Sequence, residues 1–369
     1  MDTGAGPPWA TRVAPGQSGT TAKSLNYYTF SLTLSCWGLA FAHAMKHSTR
    51  FFCLATAMLT CSLVAEGIIL SQAKGRIDVK IDGALFTSYH YEGVPKPALY
   101  PIRWIDGTTG LTRRYPMELG APGESSDHKH HRSLFWGHRH VRGGKANDTH
   151  DFWGETVNSG KQVAVKVGFD KNGVIHAQHK WVSRANETIA TDSREIRFQS
   201  GKTFRTIDYT ITIHASHGKI VLMDDKDAGM GIRVPDSMCV TPHRTAKVKA
   251  EGYMLNSEGV TGAALWGKRA KWVDYSGRVK GKLLGVAIFD HPQNPRHPTN
   301  WHARSYGLCT ANIFGRHHFE QLPNKDAGNV SLNKGESLTF KYRFYWHAGK
   351  GEIKKIEARY REWVASKGK

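Results

Sequence analysis

Apolar residues recur at every second position along much of the chain. Val163, Val165, Val167 and Phe169 alternate with polar or small residues, as do Ile207, Tyr209, Ile211 and Ile213, and again Leu338, Phe340, Tyr342, Phe344 and Trp346. A period of two puts successive side chains on opposite faces, so each segment predicts a half-buried strand with one face on a core. Residues 219–223, apolar after Lys219, and 283–289 are shorter apolar runs, which suit strands covered on both faces. Asp82-Gly83, Asp106-Gly107, Asn172-Gly173 and Lys334-Gly335 supply turns between them. One segment has a helical period: residues 352–366 set Ile353, Ile356, Tyr360, Trp363 and Val364 on a single stripe. Many short strands and one terminal helix predict an all-β fold, a large antiparallel β-sandwich with a C-terminal helix.

The sandwich does not account for the N-terminus. Residues 1–44 start rich in Gly, Pro, Ser and Thr and read as a non-native extension. Residues 45–73 have the order of a signal peptide. A basic stretch holding Lys46 and Arg50 comes first, then an apolar run from Phe51 to Ala65. Small residues at Ser71 and Ala73 offer a cut, and Leu63-Val64-Ala65 offers a second. A membrane anchor is the rival reading, but Glu66 interrupts the apolar run. The expectation is therefore an exported protein, periplasmic or extracellular, with one domain over 74–369 and no integral membrane partner.

Only Cys239 and Cys309 follow the signal segment, so a disulfide framework and a thiolate metal site are both disfavoured. The whole chain carries a formal charge of +20. Its Lys and Arg are scattered rather than gathered on a recognition helix, which argues against nucleic acid as a partner. There is no P-loop, Rossmann glycine fingerprint or Gly-x-Ser-x-Gly, which disfavours nucleotide-dependent and serine-hydrolase chemistry. The sequence names no cofactor.

The chemistry concentrates in two loops. Residues 124–140 hold five histidines, His128, His130, His131, His138 and His140, beside Glu124, Asp127 and Arg132. Such a group can bind a metal, move protons or grip sugar hydroxyls. His138 and His140 are two apart and would share a strand face. A metal site remains open as an alternative, but the fuller reading is a metal-free polar pocket, and no metal ligand is assigned. The second loop runs from Asp290 and His291 through three prolines to Trp301, His302 and Arg304. The prolines stiffen it, and Trp301 could stack on a sugar ring or equally be a core lid. Between the loops, Gly229 and Gly231 bracket Met230 as in a closely packed strand, and Arg233 follows to meet an anion.

These motifs occur in order: Tyr100-Pro-Ile-Arg103, Arg114-Tyr-Pro-Met-Glu118, the 123–134 histidine segment, Asp151-Phe-Trp153, Gly229-Met-Gly-Ile-Arg233, Trp272-Val-Asp-Tyr-Ser-Gly277, and Asp290-His-Pro292 with Pro298-Thr-Asn-Trp301-His302. As a set over residues 77–348 they resemble the PmoA-like family of exported bacterial proteins, which bears a methane-oxygenase label. The resemblance implies a galactose-mutarotase-like supersandwich and a setting among sugar-processing enzymes. The expected ligand is a carbohydrate or small polar molecule. The expected chemistry is that of a lyase, hydrolase or epimerase, with a glycan-binding module or a metal-dependent oxygenase as alternatives. His130 or His131 would be the base, supported by Glu124, Asp127 and His302. Arg132, Arg233 and Trp301 would bind substrate, with His138, His140, Asp290 and His291 beside them.

Overall fold

In the strand Glu336–Ala348, the five alternating residues from Leu338 to Trp346 are all buried, and Ile207, Tyr209, Ile211 and Ile213 are buried in the same way on Phe204–His214. The two strands pair antiparallel along their length, so their apolar faces make one surface. The computed structural model describes residues 11–12, 67–119 and 122–366. Among these, the paired strands lie at the centre of a nine-stranded sheet. On one side follow Lys282–Asp290, Trp272–Val279 and Tyr253–Asn256; on the other follow Thr188–Gly201, Ile175–Val182 and Lys161–Phe169. The short strand Thr11–Arg12 pairs with Glu336–Ala348 as well.

An eight-stranded sheet faces it, in the order Trp301–Ala303, Leu308–Ala311, Ala228–Arg233, Leu134–His138, Ala98–Leu99, Ala84–His90, Arg76–Ile81, Ile68–Ala73. Ile77, Val79, Trp136 and Ile232 from this sheet join Ile207, Ile211, Phe340 and Phe344 in a single core. A four-stranded sheet, which includes Ile220–Leu222, completes the all-β architecture. The C-terminal helix Ile353–Ala365 lays Ile356, Tyr360 and Trp363 on Leu255, Trp272 and Phe289, which belong to the outer face of the first sheet. The antiparallel sandwich with one C-terminal helix is thus as expected. The structure adds a five-residue helix, Arg316–Glu320.

One local expectation changes. The strand Lys161–Phe169 exists, but Val163 and Val165 are 45% and 56% exposed, while Gln162 turns inward. This strand ends its sheet, and Gln162 is drawn in by buried partners: it accepts from Arg194 and donates to the Trp136 carbonyl. The strand Ile68–Ala73 lies within the segment read as a signal peptide. Ile68–Ala73 pairs along its whole length with Arg76–Ile81, so a cut after Ala73 would remove an edge strand and a cut after Ala65 would leave it. The 1–44 extension and most of the signal segment lie outside the described residues. Cys239 and Cys309 are buried free thiols.

Close strand packing at Gly229 has a measurable consequence. Its φ is +97°, and a Cβ there would collide with the Ala311 carbonyl oxygen. Gly229→Ala therefore combines backbone strain with overpacking and is expected to cost roughly 2–4 kcal/mol. Urea denaturation would show this as a lower midpoint at unchanged slope. A wild-type midpoint would disprove the close approach.

Candidate functional site

The outer face of the eight-stranded sheet brings the two polar loops together. Register places His302 beside Thr310, Thr310 beside Gly231, and Gly231 beside Phe135, in one row across four strands. Gly231 keeps the middle of this row low, since a Cβ there would lie 3.0 Å from Thr310 Oγ1. Trp153 packs edge-on to Phe135 at 5.2 Å, and Ala98, Leu308 and Tyr306 complete an apolar patch around them.

Over this floor the loop at 124–133 is fastened by buried charge. The Arg113 guanidinium donates to Asp127 Oδ1 at 2.7 Å and to the Asp127 carbonyl at 2.7 Å. Arg233 donates to the same carboxylate at 3.2 Å. Asp236 accepts from the Ser125 N–H and hydroxyl, at 2.6 and 2.9 Å. Both arginine side chains are fully buried. Buried charges persist only when paired in this way. His128 takes a left-handed φ of 46° and contacts Asp127 through Nδ1. The rings of Tyr306, His128, His131 and Phe135 then form a stacked column, with centroids 5.3, 4.9 and 6.2 Å apart. His130 stands edge-on to that column, 4.5 Å from His131.

The surroundings keep the central imidazoles neutral. Burial, then Lys96 and His128, hold His130 down to about 4. Burial, then His130 and Arg233, push His131 well below its ordinary value. Burial holds His302 down to about 4 although Asp227 pulls the other way. Hydrogen bonds assign two tautomers. His131 Nδ1 lies 3.3 Å from the Arg233 guanidinium and must accept. His302 Nδ1 lies 2.7 Å from the Lys226 carbonyl and must donate, which leaves Nε2 as a free base. Asp227 joins the loops: it sits 3.8 Å from His302, its charge also acts on His130, and Arg139 donates to it at 2.7 Å.

These shifts make stability depend on pH. Rings with a depressed folded value contribute stability above the unfolded value near 6.5 and lose it as pH falls through the folded value. His302 and the buried His138 both fall to about 4, so each contributes on the order of 3 kcal/mol across that window. His347 and His140 are raised, by Asp274 against burial and by Asp225 respectively, and act oppositely. Depressed rings outnumber raised ones, so Tm should fall between pH 6.5 and 4. Differential scanning calorimetry showing a flat Tm over that interval would contradict the burial of these rings.

His130, His131, Asp127, Arg233 and His302 are thus gathered at one face. The other candidates sit elsewhere. Glu124 accepts the backbone N–H groups of Arg114 and Tyr115 and brackets its own loop. Arg132 makes a bidentate pair with Glu155 at 2.6 and 2.7 Å. The strand ends at His138, so His138 and His140 do not share a face. His138 is buried on Phe314, while His140 pairs with Asp225 at 2.7 Å. Asp290 binds His297 and Asn294 and fixes the proline loop. His291 packs on Trp363 of the C-terminal helix. Trp301 lies in the core with its indole N–H on the Ala270 carbonyl, so its face is closed to ligand. Tyr306, Arg113 and Lys96 were not picked out from the sequence, whereas Arg304 closes the proline loop and Asp227 belongs to the acidic run Asp224-Asp225-Lys226-Asp227. Among the described residues no three His, Cys, Asp or Glu side chains are arranged to hold a metal.

The profile of a family described as "Family of unknown function (DUF6807)" matches residues 76–361. No curated protein matches the chain. Among solved structures, the chain is similar to a polysaccharide lyase at 13% identity, covering 81% of this chain and 34% of that one, with a TM-score of 0.31. It is also similar to a galactose mutarotase related enzyme from Lactobacillus acidophilus (8% identity, 78% and 99% covered, TM-score 0.34). A galactose mutarotase-like protein from Lactobacillus casei is similar at 6% identity, with 76% and 100% covered and a TM-score of 0.35. Likeness this distant assigns no role to any residue here. The expected PmoA-like membership is corrected: the matching family is DUF6807, and the fold is an all-β sandwich. No described helix is long and apolar enough to cross a membrane.

Proposed function

The chain belongs to the DUF6807 family of unknown function, and we propose that it is a carbohydrate-active enzyme of lyase, hydrolase or epimerase type. Its substrate would be a sugar or keto-sugar. The observation that carries this reading is the set of neutral imidazoles, His130 and His302, held beside buried arginines on one sheet face. A neutral, partly open imidazole can take a proton from a carbon next to a carbonyl or anomeric centre. His130 has that role here, with His302 Nε2 as the second base. Arg304 offsets negative charge as it develops on oxygen, while Arg233 fastens Asp127. His131, its Nδ1 occupied by Arg233, positions that arginine. The glycan-binding alternative relied on an open Trp301, which the core encloses.

The test is solvent exchange. Purified protein is incubated in D2O with a panel of neutral, keto- and acidic oligosaccharides, and carbon-bound deuterium is read by mass spectrometry and NMR. Incorporation into one substrate, lost in His130→Gln, is the expected outcome. No incorporation and no new product across the panel would overturn the reading.

Export remains part of the proposal. The basic stretch and apolar run support it, and a cut after Ala65 preserves the strand Ile68–Ala73. N-terminal sequencing of the secreted protein should begin at Glu66. A start at Lys74 would contradict that cut.

A further inference from the structure

Charge around the site does not balance. Lys96 and Arg132 share Glu155, at 2.9 and 2.6 Å. Arg139 and Lys226 share Asp227, at 2.7 and 3.2 Å. Arg113 and Arg233 are matched by Asp127 and Asp236. Arg304 has no carboxylate within ion-pair distance among the described residues; it is held over Tyr306 at 5.5 Å and Trp266 at 5.9 Å. Asp151 acts on both Lys96 and Arg139 and offsets those groups in part, so the unmatched positive charge of the site rests on Arg304.

Hydrogen bonding is incomplete in the same place. Arg233 Nε, Trp153 Nε1, Trp266 Nε1 and Thr310 Oγ1 are buried and have no partner. Arg233 and Thr310 are themselves fully buried, and Trp153 is nearly so. Three of the four orphans can only donate, and a hydroxyl can donate too. Buried polar groups are rarely left unpaired, and an unmet donor requires an acceptor. The missing partner is therefore rich in acceptors and negatively charged.

We propose that this site takes an acidic sugar, a hexuronate or a short chain of them, with its carboxylate on Arg304 and its ring oxygens on the orphaned donors beside His302 and His130. The word sugar rests on the function proposed above; the negative charge does not. A carboxylate is acceptor-only and matches the planar fork of a guanidinium. The cation–π contacts hold Arg304 ready without satisfying its charge. Placing a carboxylate here also suits proton removal, because Arg304 would offset the charge that builds beside it.

The test is calorimetric titration of the full protein at low salt with trisaccharides of glucuronate, galacturonate and mannuronate, and with their neutral counterparts. At least one uronate should bind ten or more times tighter than its neutral counterpart, and added NaCl should weaken it. Arg304→Gln should lose roughly 10- to 100-fold in uronate affinity. Arg304→Lys should retain part of it, with Tm measured on both variants to confirm folding. Equal affinity for neutral sugars, no uronate binding at all, tighter binding of a sugar phosphate, or unchanged affinity in folded Arg304→Gln would each overturn the inference. Uronate binding without deuterium exchange would overturn the enzyme reading and leave this one standing. Exchange on neutral sugars alone would do the reverse.

Discussion

His130→Gln is expected to lower turnover on an exchange-active substrate by roughly 10²- to 10⁴-fold, the usual range for loss of a positioned general base. Glutamine keeps the polarity and much of the volume of the ring but cannot accept a proton near neutral pH. His130 makes none of the hydrogen bonds that fasten the loop, which fall to Arg113, Arg233 and Asp236. The variant should therefore fold and bind as the parent does, with the loss in kcat rather than in affinity. The pH profile gives a second check. Burial and Lys96 hold His130 down to about 4, so the acid limb of kcat/KM should have its midpoint near 4 instead of 6.5. Activity then persists at pH 5, where an ordinary histidine would be mostly protonated and silent. Turnover within threefold of the parent would remove His130 from the mechanism. In that case His302 Nε2, left free by the Nδ1 bond to the Lys226 carbonyl, is the next base, and His302→Gln should carry the loss instead.

The sandwich was legible where inward positions were apolar and the period was clean. Glu336–Ala348 and Phe204–His214 could be read directly because the core selects large side chains at every second residue. Ile175–Val182 and Thr188–Gly201 could not, because His179, Asp192 and Arg194 occupy their inward positions and break the apolar alternation. The same buried charge explains why Gln162 faces in and Val163 out. At the site, the histidine-rich loop stood out by composition. Tyr306 and Arg113 did not, since a lone Tyr or Arg is ordinary in any stretch. Their importance comes from sheet register, which sets the chain around 228–233 beside 308–311. Trp301 misled in the other direction. Position in a polar loop suggested an open ring, but Trp301 begins a strand and points to the core.

Asp192→Asn is expected to destabilise the domain by roughly 3–5 kcal/mol, the range for removing one partner of a buried ion pair. Asp192 is 1% exposed and accepts four hydrogen bonds from three side chains. Arg194 supplies Nε at 2.8 Å and a second N–H at 2.8 Å, Trp181 supplies its indole N–H at 2.6 Å, and His179 Nδ1 lies at 2.9 Å. Arg194 reaches on to Tyr209 and Gln162, and His179 meets Tyr89 of the opposite sheet at 3.2 Å. The network therefore ties the two sheets together through polar contacts, every one of them committed. The carboxylate at its centre is saturated by these four donors, which makes it a structural device. Asparagine keeps the shape but removes the charge, so the guanidinium is left buried without its counter-ion, and the amide sets an N–H against another donor. Burial alone would raise the Asp192 value, yet Arg194 and His179 hold it well below the usual carboxylate range. Its contribution is therefore complete above the unfolded value near 4 and is lost as pH falls below it. Urea midpoints measured at pH 7 should differ strongly between parent and variant, and the gap should narrow in acid. A combined Asp192→Leu, Arg194→Met and His179→Phe replacement should recover much of the loss, because no charge then remains to be compensated. If the single variant melts with the parent, the pair contributes nothing net and the two sheets are held by their apolar faces alone.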